Sequence, residues 1–395
     1  MKSNLRNFIT EIEPLLPTYG KEELTEKSIT LLSLAGGLGA NLNKDTLKEL
    51  SGLVINMNSY YSNLIEGNRT TPLEIEKAMA ERFSKDPDLR GKEYEHIAHI
   101  KVQKKIDELL LQDMNFDICT IDFIRNIHKE FYESIPEEFR KIKDSNGNPF
   151  NIIPGKLREF DVKVGRHIPP SSEHIEVFLN KFCTKYATNK LNGTDRLIAA
   201  AASHHRLEWI HPFPDGNGRT ARLFTHAYLL KSGLNKNDLW SISRGFARNR
   251  EKYYAMLSNA DEQRLNDYDG RGNLSDKRLF EFCEYFIDLA IDQIKFMSNL
   301  FDFANLFERI RKYIENESDL KSASFTILKE ALINGKIRRG DIPKLTAMPE
   351  RTARRELKKL LDRGLLKSET PKSAVKPAFP AEVLEFYFPR LYPLN

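Results

Sequence analysis

Residues 211–222 read HPFPDGNGRTAR, and this stretch predicts a tight turn that leads directly into a helix. Gly216 and Gly218 flank Asn217, and glycine adopts the backbone conformations that a sharp turn requires. With no Cβ atoms in the way, successive amides of such a turn can face an anion. The following helix adds N-terminal amides and a dipole, which both favour phosphate. The stretch therefore predicts a phosphate-binding turn at the start of a helix.

Four side chains with titratable or charged groups surround this turn. Arg219 and Arg222 stand three residues apart, so both can reach along one helix face toward polyphosphate oxygens. Asp215 adjoins the glycines, where its carboxylate is a suitable ligand for Mg²⁺. His211 precedes the turn, and a neutral imidazole there can accept a proton from a hydroxyl group. The pattern predicts an active site with a base, a metal ligand and phosphate ligands.

The stretch resembles the signature of the Fic family, HxFx(D/E)GNGRxxR, and every defined position is matched. Members of that family usually transfer AMP from ATP to a hydroxyl side chain of a target protein. The resemblance implies that His211 is the base, that Asp215 binds Mg²⁺ and that Phe213 is a buried anchor. It assigns the phosphates to Gly216, Asn217, Gly218, Arg219 and Arg222. A related branch with Ala-Asn-Lys in place of Gly-Asn-Gly phosphorylates its targets, so the glycines favour nucleotidyl transfer.

A second motif lies upstream, where residues 62–68 read SNLIEGN. It matches the pattern (S/T)xxxE(G/N), which inhibits one class of Fic proteins. In that class the glutamate pairs with the second arginine of the signature, which implies a pair between Glu66 and Arg222. The carboxylate then occupies the place of the γ-phosphate, so that ATP binds in an unproductive pose. In some members the same glutamate activates water and AMP is removed, and this alternative stays open for Glu66.

Two further segments extend the resemblance. Residues 157–170 mix turn residues with alternating Val162 and Val164, which predicts a short hairpin. The segment resembles the family's flap, whose exposed edge pairs with the backbone of the target. Tyr254 falls where family members often line the adenine pocket, although a tyrosine in a helix is as often a core residue.

Composition and charge limit the function classes. A chain of 395 residues with 40% hydrophobic content suits two or three domains with ample cores. No run of 18 apolar residues occurs, which argues against a membrane span, and the first residues do not resemble a secretion signal. Three widely separated cysteines (Cys119, Cys183 and Cys283) exclude a disulfide framework. We therefore expect a cytoplasmic protein.

The basic residues concentrate in the C-terminal quarter. Residues 301–395 hold 19 Lys and Arg against 13 Asp and Glu, whereas the whole chain has a net charge of only +5. Helical segments at 325–334, 339–346 and 349–361 followed by a hairpin resemble a winged helix-turn-helix. The third helix carries a basic face suited to DNA phosphates, formed by Arg351, Arg354, Arg355, Lys358 and Lys359. The alternative is a module for protein interaction or for homodimerisation.

Most of the remaining chain shows the apolar spacing of amphipathic helices. Predicted helices span residues 46–65, 93–112, 120–133, 173–189, 194–209, 219–232, 248–260 and 277–300. We expect a mainly α protein, with a helical Fic core, a short β-hairpin flap and a C-terminal winged-helix domain. The expected domains are an N-terminal region with the inhibitory helix at 1–92, the catalytic core at 93–302 and the winged helix at 303–395.

Two functions compete on these observations. In the first, the chain is a protein adenylyltransferase that uses ATP and Mg²⁺ and is restrained by Glu66. In the second, it is a DNA-binding regulator whose Fic core senses a nucleotide. The intact His211 favours the first function, because a nucleotide sensor does not require a base.

Overall fold

The computed structural model describes residues 10–143 and 149–392. Within these ranges the protein is mainly helical, which confirms the expected fold class. No described helix has the length and apolarity needed to cross a membrane. Residues 145–150 read SNGNPF, a run of turn residues. The turn that this run predicts falls largely at 145–148, outside the described residues.

Eleven helices precede residue 302 in the described part of the chain. They are α1 (Lys21–Gly37), α2 (Lys44–Ile65), α3 (Pro72–Met79), α4 (Pro87–Gln112), α5 (Ile121–Glu133), α6 (Ile175–Tyr186), α7 (Gly193–Ile210), α8 (Asn217–Lys231), α9 (Ile242–Arg248), α10 (Arg250–Ala260) and α11 (Asp276–Leu300). Eight of them match the helices predicted from the apolar spacing, whereas α1, α3 and α9 were not predicted. Capping residues explain several of these boundaries. Thr71 and Glu74 form a capping box at α3, and the side chains of Asp86 and Thr120 cap α4 and α5.

The expected hairpin at 157–170 is not a regular pair of strands. Its one β-bridge joins Val164 to His167, whereas β1 (Lys141–Lys143) and β2 (Pro149–Asn151) form the antiparallel pair of this region. Val164 is exposed, so the alternating valines bury no common face that would stabilise a sheet. Pro169 and Pro170 also lack the amide hydrogens that a ladder needs. The segment is therefore an irregular loop with a tight turn at its tip.

The chain divides into two compact units. The first comprises the described residues of Met1–Gly36, Asn58–Lys236 and Ser241–Gln293. Helix α7 is central to its core, because the run Ala199–Ala202 is fully buried and small side chains let neighbouring helices approach closely. Helix α8 follows α7 after a six-residue turn, and this turn is the predicted phosphate-binding stretch.

The second unit comprises the described residues of Gly37–Met57, Asn237–Trp240 and Ile294–Asn395. Its C-terminal elements are α12 (Phe303–Asn316), α13 (Ser322–Asn334), α14 (Ile342–Thr346), α15 (Glu350–Asp362), β3 (Leu366–Lys367), β4 (Lys376–Pro377) and α16 (Leu384–Tyr387). Strands β3 and β4 pair antiparallel, and Ile337 bridges to Val375 beside them. This order of helices and strands agrees with the winged-helix prediction, although the assignment and the domain boundaries stay predictions.

Polar contacts within the second unit join its N-terminal segment to its C-terminal helices. The Thr46 hydroxyl donates to the backbone oxygen of Leu332 at 2.6 Å, and both groups are buried. Lys336 pairs with Asp45 at 3.2 Å. Residues 37–57 therefore pack within the second unit, together with its C-terminal helices.

Truncation after residue 302 should destabilise residues 44–57, because it removes the partners of Thr46 and Asp45. We expect faster hydrogen exchange across this segment than in the full chain, together with a lower melting temperature. A matched truncation after residue 392 leaves both partners and the buried Leu391 and Tyr392 in place, and should keep the protection of the full chain. Unchanged exchange at 44–57 in the shorter protein would contradict this division of the chain.

Candidate active site

His211 ends helix α7 in a left-handed backbone conformation. Its φ is 49° and its amide donates to the backbone oxygen of Leu207 at 3.1 Å. Residues other than glycine rarely adopt this conformation, so the surrounding contacts must hold it. The conformation turns the chain sharply out of α7 and leads it into the glycine-containing turn.

The imidazole of His211 is neutral near pH 7. Burial lowers its pKa to about 4, with a further lowering by the nearby Arg158 guanidinium, and a hydrogen bond to the Glu208 backbone opposes this only in part. A neutral ring that donates one N–H to that backbone retains its second nitrogen as an acceptor. The group therefore has the protonation state that a general base requires.

Arg158 fastens the 157–170 segment to the end of α7. Its Nε donates to the backbone oxygen of His211 at 2.8 Å, and its amide donates to Pro212 at 3.0 Å. Its other nitrogens bond the backbone oxygens of Phe160 and Pro170. Arg158 is almost fully buried, and the sequence analysis missed it because an arginine among turn residues carries no pattern of its own.

The turn after His211 is closed by its own side chains. Asn217 accepts a hydrogen bond from the Phe213 amide at 2.9 Å and donates one to the Phe213 carbonyl at 2.8 Å. Phe213 is fully buried and stacks on His128, with 4.0 Å between ring centroids. The side chain of Asn217 thus closes the turn, and its backbone amide is a further group that can face an anion.

Gly216 and Gly218 both lie where the Cβ of any other residue would clash with its neighbours. Gly216 has a φ of 76°, and a Cβ there would lie 2.8 Å from Tyr132. A Cβ on Gly218 would lie 2.5 Å from Glu66 Oε1 and 2.9 Å from an Nη of Arg222. Because α8 begins at Asn217, the first amides of the helix open into this space with no acceptor inside the helix.

The space at Gly216 and Gly218, with the first amides of α8, is called the cradle below. Asp215 lies beside it, and its carboxylate is partly exposed. Its Oδ2 accepts from the Tyr132 hydroxyl at 2.8 Å and from Arg219 at 3.3 Å. Burial alone would raise the pKa of Asp215, but Arg219, Tyr132 and the Gly216 amide together lower it below its ordinary value. The carboxylate is therefore ionised at neutral pH, as a Mg²⁺ ligand must be.

Arg219 is buried between two carboxylates and two aromatic rings. Its Nη1 donates to Glu95 at 2.7 Å, Nη2 contacts Asp215, and its guanidinium lies 4.9 Å from the centroid of Phe131. Its Nε is buried and has no hydrogen-bond partner among the described residues. A buried donor without an acceptor is costly, so this atom is one that an anion bound in the cradle can satisfy.

Arg222 is almost fully buried and is bound by the upstream motif. Its Nε donates to the Ser62 hydroxyl at 2.9 Å, and Nη2 donates to the Ser62 carbonyl at 3.0 Å and to Glu66 at 2.6 Å. Although burial would lower the pKa of Arg222, Glu66 raises it above its ordinary value. The structure thus brings together the glutamate and the arginine that the sequence resemblance paired.

A cavity of about 350 Å³ lies beside His211. Val164 and His167 of the loop line it, together with Glu208 and Tyr254. The ring of Tyr254 is partly exposed, and its hydroxyl donates to the Ile65 carbonyl at 3.2 Å. The volume lies within the range of small-molecule sites, and an aromatic wall suits a planar ring.

Glu208 was not anticipated from the sequence. Burial raises its pKa to about 7, with Arg222 opposing this and Glu66 adding to it. Tyr253, by contrast, is a core residue whose hydroxyl bonds the buried ring of His204 at 2.8 Å. Its neighbour Tyr254 is therefore the tyrosine of this pair that faces the cavity.

Residues 118–229 match the sequence model of the Fic/DOC family. This range contains α5, α6, α7, the turn that bears His211 and most of α8. Residues 118–229 thus match a Fic/DOC-family domain, which confirms the family resemblance seen in the sequence.

Curated relatives extend over a wider part of the chain. A protein of Nematostella vectensis named protein adenylyltransferase Fic is 31% identical over 203 residues, which are 51% of this chain and 42% of that protein. The protein of the same name from Aedes aegypti is 28% identical over 206 residues, 51% of this chain and 36% of the relative. The chain thus aligns with about two fifths of the length of these relatives.

Solved structures share the fold. A Fic family protein from Desulfovibrio desulfuricans G20 aligns with 90% of this chain and 96% of its own, with a TM-score of 0.51 and 15% identity. A Fic-domain signalling protein from Bacteroides thetaiotaomicron covers 70% of this chain and 95% of its own, with a TM-score of 0.51 and 22% identity. At these identities the likeness concerns the fold alone.

The His211 ring should titrate at about pH 4 in the free protein, because burial disfavours its charged form. Histidine NMR signals followed from pH 3 to 8 measure this, and the signal lost in His211→Ala provides the assignment. The ring is neutral above its pKa and protonated below it, so the base form dominates near pH 7. A titration midpoint at or above 6.5 would contradict the described environment.

Proposed function

We propose that this chain is a protein adenylyltransferase, which transfers AMP from ATP to a Ser, Thr or Tyr hydroxyl of a target protein and is restrained by Glu66. One observation carries the proposal: a neutral base, His211, stands at the entrance of an anion cradle that contains an ionised carboxylate and two buried arginines. The names of the relatives support the same activity. The three cysteines are free and buried, which agrees with the expected cytoplasmic location.

The reaction follows from this arrangement. His211 takes the proton of the target hydroxyl, whose oxygen forms a bond with the α-phosphorus of ATP. The bond from that phosphorus to the oxygen bridging the α- and β-phosphates breaks, and pyrophosphate leaves. The first amides of α8 and the two arginines stabilise the negative charge on the phosphates. The aromatic wall at Tyr254 receives the adenine, and the outer edge of the 157–170 loop receives the target backbone.

The chemistry of the site fits Mg²⁺ and a polyphosphate. Asp215 would hold the metal ion, which supplies charge neutralisation for the phosphates when it is bound. The buried Nε of Arg219 lacks an acceptor among the described residues, which a phosphate oxygen can supply. The Cβ position of Gly218 lies 2.5 Å from Glu66 Oε1, so a phosphate oxygen can enter there only when Glu66 has left. Asn217 supports the cradle through the turn, because its side chain is bonded to Phe213.

The restraint by Glu66 is electrostatic. Its carboxylate forms an ion pair with Arg222, and a terminal phosphate of ATP would otherwise pair with the same guanidinium. A buried guanidinium that already has an anion gains little from a second one, so productive binding of ATP requires Glu66 to leave. The alternative in which Glu66 activates water for AMP removal uses the same carboxylate.

The nature of the transferred group distinguishes adenylyl transfer from phosphoryl transfer. In Glu66→Gly protein, ATP labelled at the α-phosphate should label protein, and ATP labelled at the γ-phosphate should not. His211→Ala in that background should lower labelling by at least about 100-fold, because a general base contributes on the order of 10²–10⁴ in rate. His174→Ala, a histidine outside the site, is the matched control. Labelling from the γ-phosphate alone would replace the proposal with phosphorylation.

Removal of Glu66 should accelerate the reaction through Arg222. We expect Glu66→Gly to incorporate AMP at least about tenfold faster than the unmodified sequence, since a charge-assisted contact of this kind is worth about 1.5–3 kcal/mol. Glu81→Gly is the matched control, because Glu81 also follows a helix end and is exposed. The gain should disappear in Glu66→Gly/Arg222→Ala. Equal rates for the unmodified protein and Glu66→Gly would contradict the restraint.

A second function, DNA binding, is favoured by the surface of α15. Ala353, Leu357 and Leu360 are buried, and the opposite face exposes Arg351, Arg354, Arg355 and Lys358. Lys359 departs from the expected face, because it pairs with the buried Glu356 at 3.0 Å. We propose that the exposed four contact DNA phosphates, with protein interaction or homodimerisation as the alternative roles of this unit.

DNA binding should depend on salt and on the exposed arginines of α15. Affinity for duplex DNA should fall steeply with salt, because phosphate contacts release counterions. Arg354→Ala/Arg355→Ala should weaken binding to all sequences alike, since phosphate contacts carry no base information. Lys312→Ala/Lys329→Ala removes two exposed lysines from α12 and α13 as a matched loss of charge. Equal weakening by both double variants, or no binding at low salt, would contradict the proposal and leave a protein-docking or dimerisation module.

A further inference from the structure

A second carboxylate, that of Glu95, pairs with Arg219, the other arginine of the cradle. Glu95 lies on α4, and its Oε1 accepts from Arg219 at 2.7 Å. Its Oε2 accepts from the side-chain nitrogen of Asn68 at 2.9 Å. Glu95 thus connects Arg219 to Asn68, which lies two residues after Glu66.

Asn68 determines the shape of that turn. Its amide donates to the Asn63 carbonyl at 3.0 Å, and its Oδ1 accepts from the amide and the hydroxyl of Thr70 at 3.1 and 2.7 Å. Its Nδ2 also donates to the Lys92 carbonyl at 3.0 Å. Asn68 is nearly fully buried, and its bonds to Thr70 lie away from water. The turn that carries Glu66 is therefore fastened to α4 through this one side chain.

We propose that Glu95 is a positioning residue for the restraint: it holds the turn of residues 66–68 in place through Asn68 and thereby keeps the Glu66 carboxylate on Arg222. This inference rests on the proposed function, because it deepens the regulation of the same site. Glu95 acts from α4, outside the motif that contains Glu66, and it fixes Arg219 and the restraining turn at the same time.

The geometry requires a carboxylate at position 95. Both partners of Glu95, the Arg219 guanidinium and the Asn68 Nδ2, are donors, so the residue must present two acceptors. Glutamine has the same shape but presents one acceptor and one donor, and its NH₂ would face one of those donors. Asn68 cannot reverse its amide to compensate, because its Oδ1 accepts from Thr70 and its Nδ2 donates to Lys92. Glu95→Gln is therefore a minimal change that breaks one of the two bonds.

Hydrogen exchange tests the positioning role without reference to activity. The amides of Gly67 and Asn68 donate within the turn, so they should exchange about tenfold faster in Glu95→Gln, as expected for the loss of a charged hydrogen bond. Glu130→Gln, which breaks the exposed Lys105–Glu130 pair, should leave them unchanged. Asn68→Asp breaks the same contact from the other side and should also speed exchange. Unchanged exchange at the turn in both Glu95→Gln and Asn68→Asp would overturn the proposal.

AMP incorporation separates this role from a direct effect on Arg219. Glu95→Gln should speed incorporation about tenfold when Glu66 is present, and should give no gain in the Glu66→Gly background. An equal gain in both backgrounds would show that Glu95 acts on Arg219 independently of Glu66, and would overturn the proposal. If the turn loosens but no variant incorporates AMP, Glu66→Gly included, then the positioning role stands and adenylyl transfer fails.

Discussion

The charge of Arg222 is the constraint on which this site depends. A guanidinium with almost no exposure to water must have an anion beside it, because an unpaired buried charge is strongly destabilising. The protein provides that anion itself in Glu66. In the proposed function a phosphate oxygen of ATP would take the place of this carboxylate, so Glu66 and ATP would compete for one side chain.

The turn between α7 and α8 fixes the positions of the groups that face the cradle. His211 adopts a left-handed conformation, Arg158 holds its carbonyl, and Asn217 closes the loop onto Phe213. These bonds fix the base and the first amides of α8 relative to each other before any ligand arrives. Preorganisation of this kind lets the site stabilise developing charge without rearranging when the reaction occurs. The groups that must move, Glu66 and its turn, lie on a different helix end.

Much of this site can be predicted from the sequence, because its parts are close together in the chain. The string from His211 to Arg222 contains the proposed base, the cradle and both arginines within twelve residues. Prediction of the Glu66–Arg222 pair requires the second motif, because no local sequence pattern joins residues that are 156 positions apart. Glu95, Glu208 and Arg158 were missed, because each acquires its role only through tertiary contacts. The irregular 157–170 loop was predicted as a hairpin, since alternating valines indicate strands only when one face is buried.

The competition for Arg222 is tested most directly by crystal structures of the unmodified protein and of Glu66→Gly, each bound to Mg²⁺ and a non-hydrolysable ATP analogue. The account predicts that in Glu66→Gly the Arg222 guanidinium lies within about 3 Å of a γ-phosphate oxygen, the distance of a charge-assisted hydrogen bond. In the unmodified protein it should stay on Glu66, with the γ-phosphate displaced. Identical phosphate positions in the two structures, or an Arg222 that contacts no phosphate in Glu66→Gly, would contradict the account.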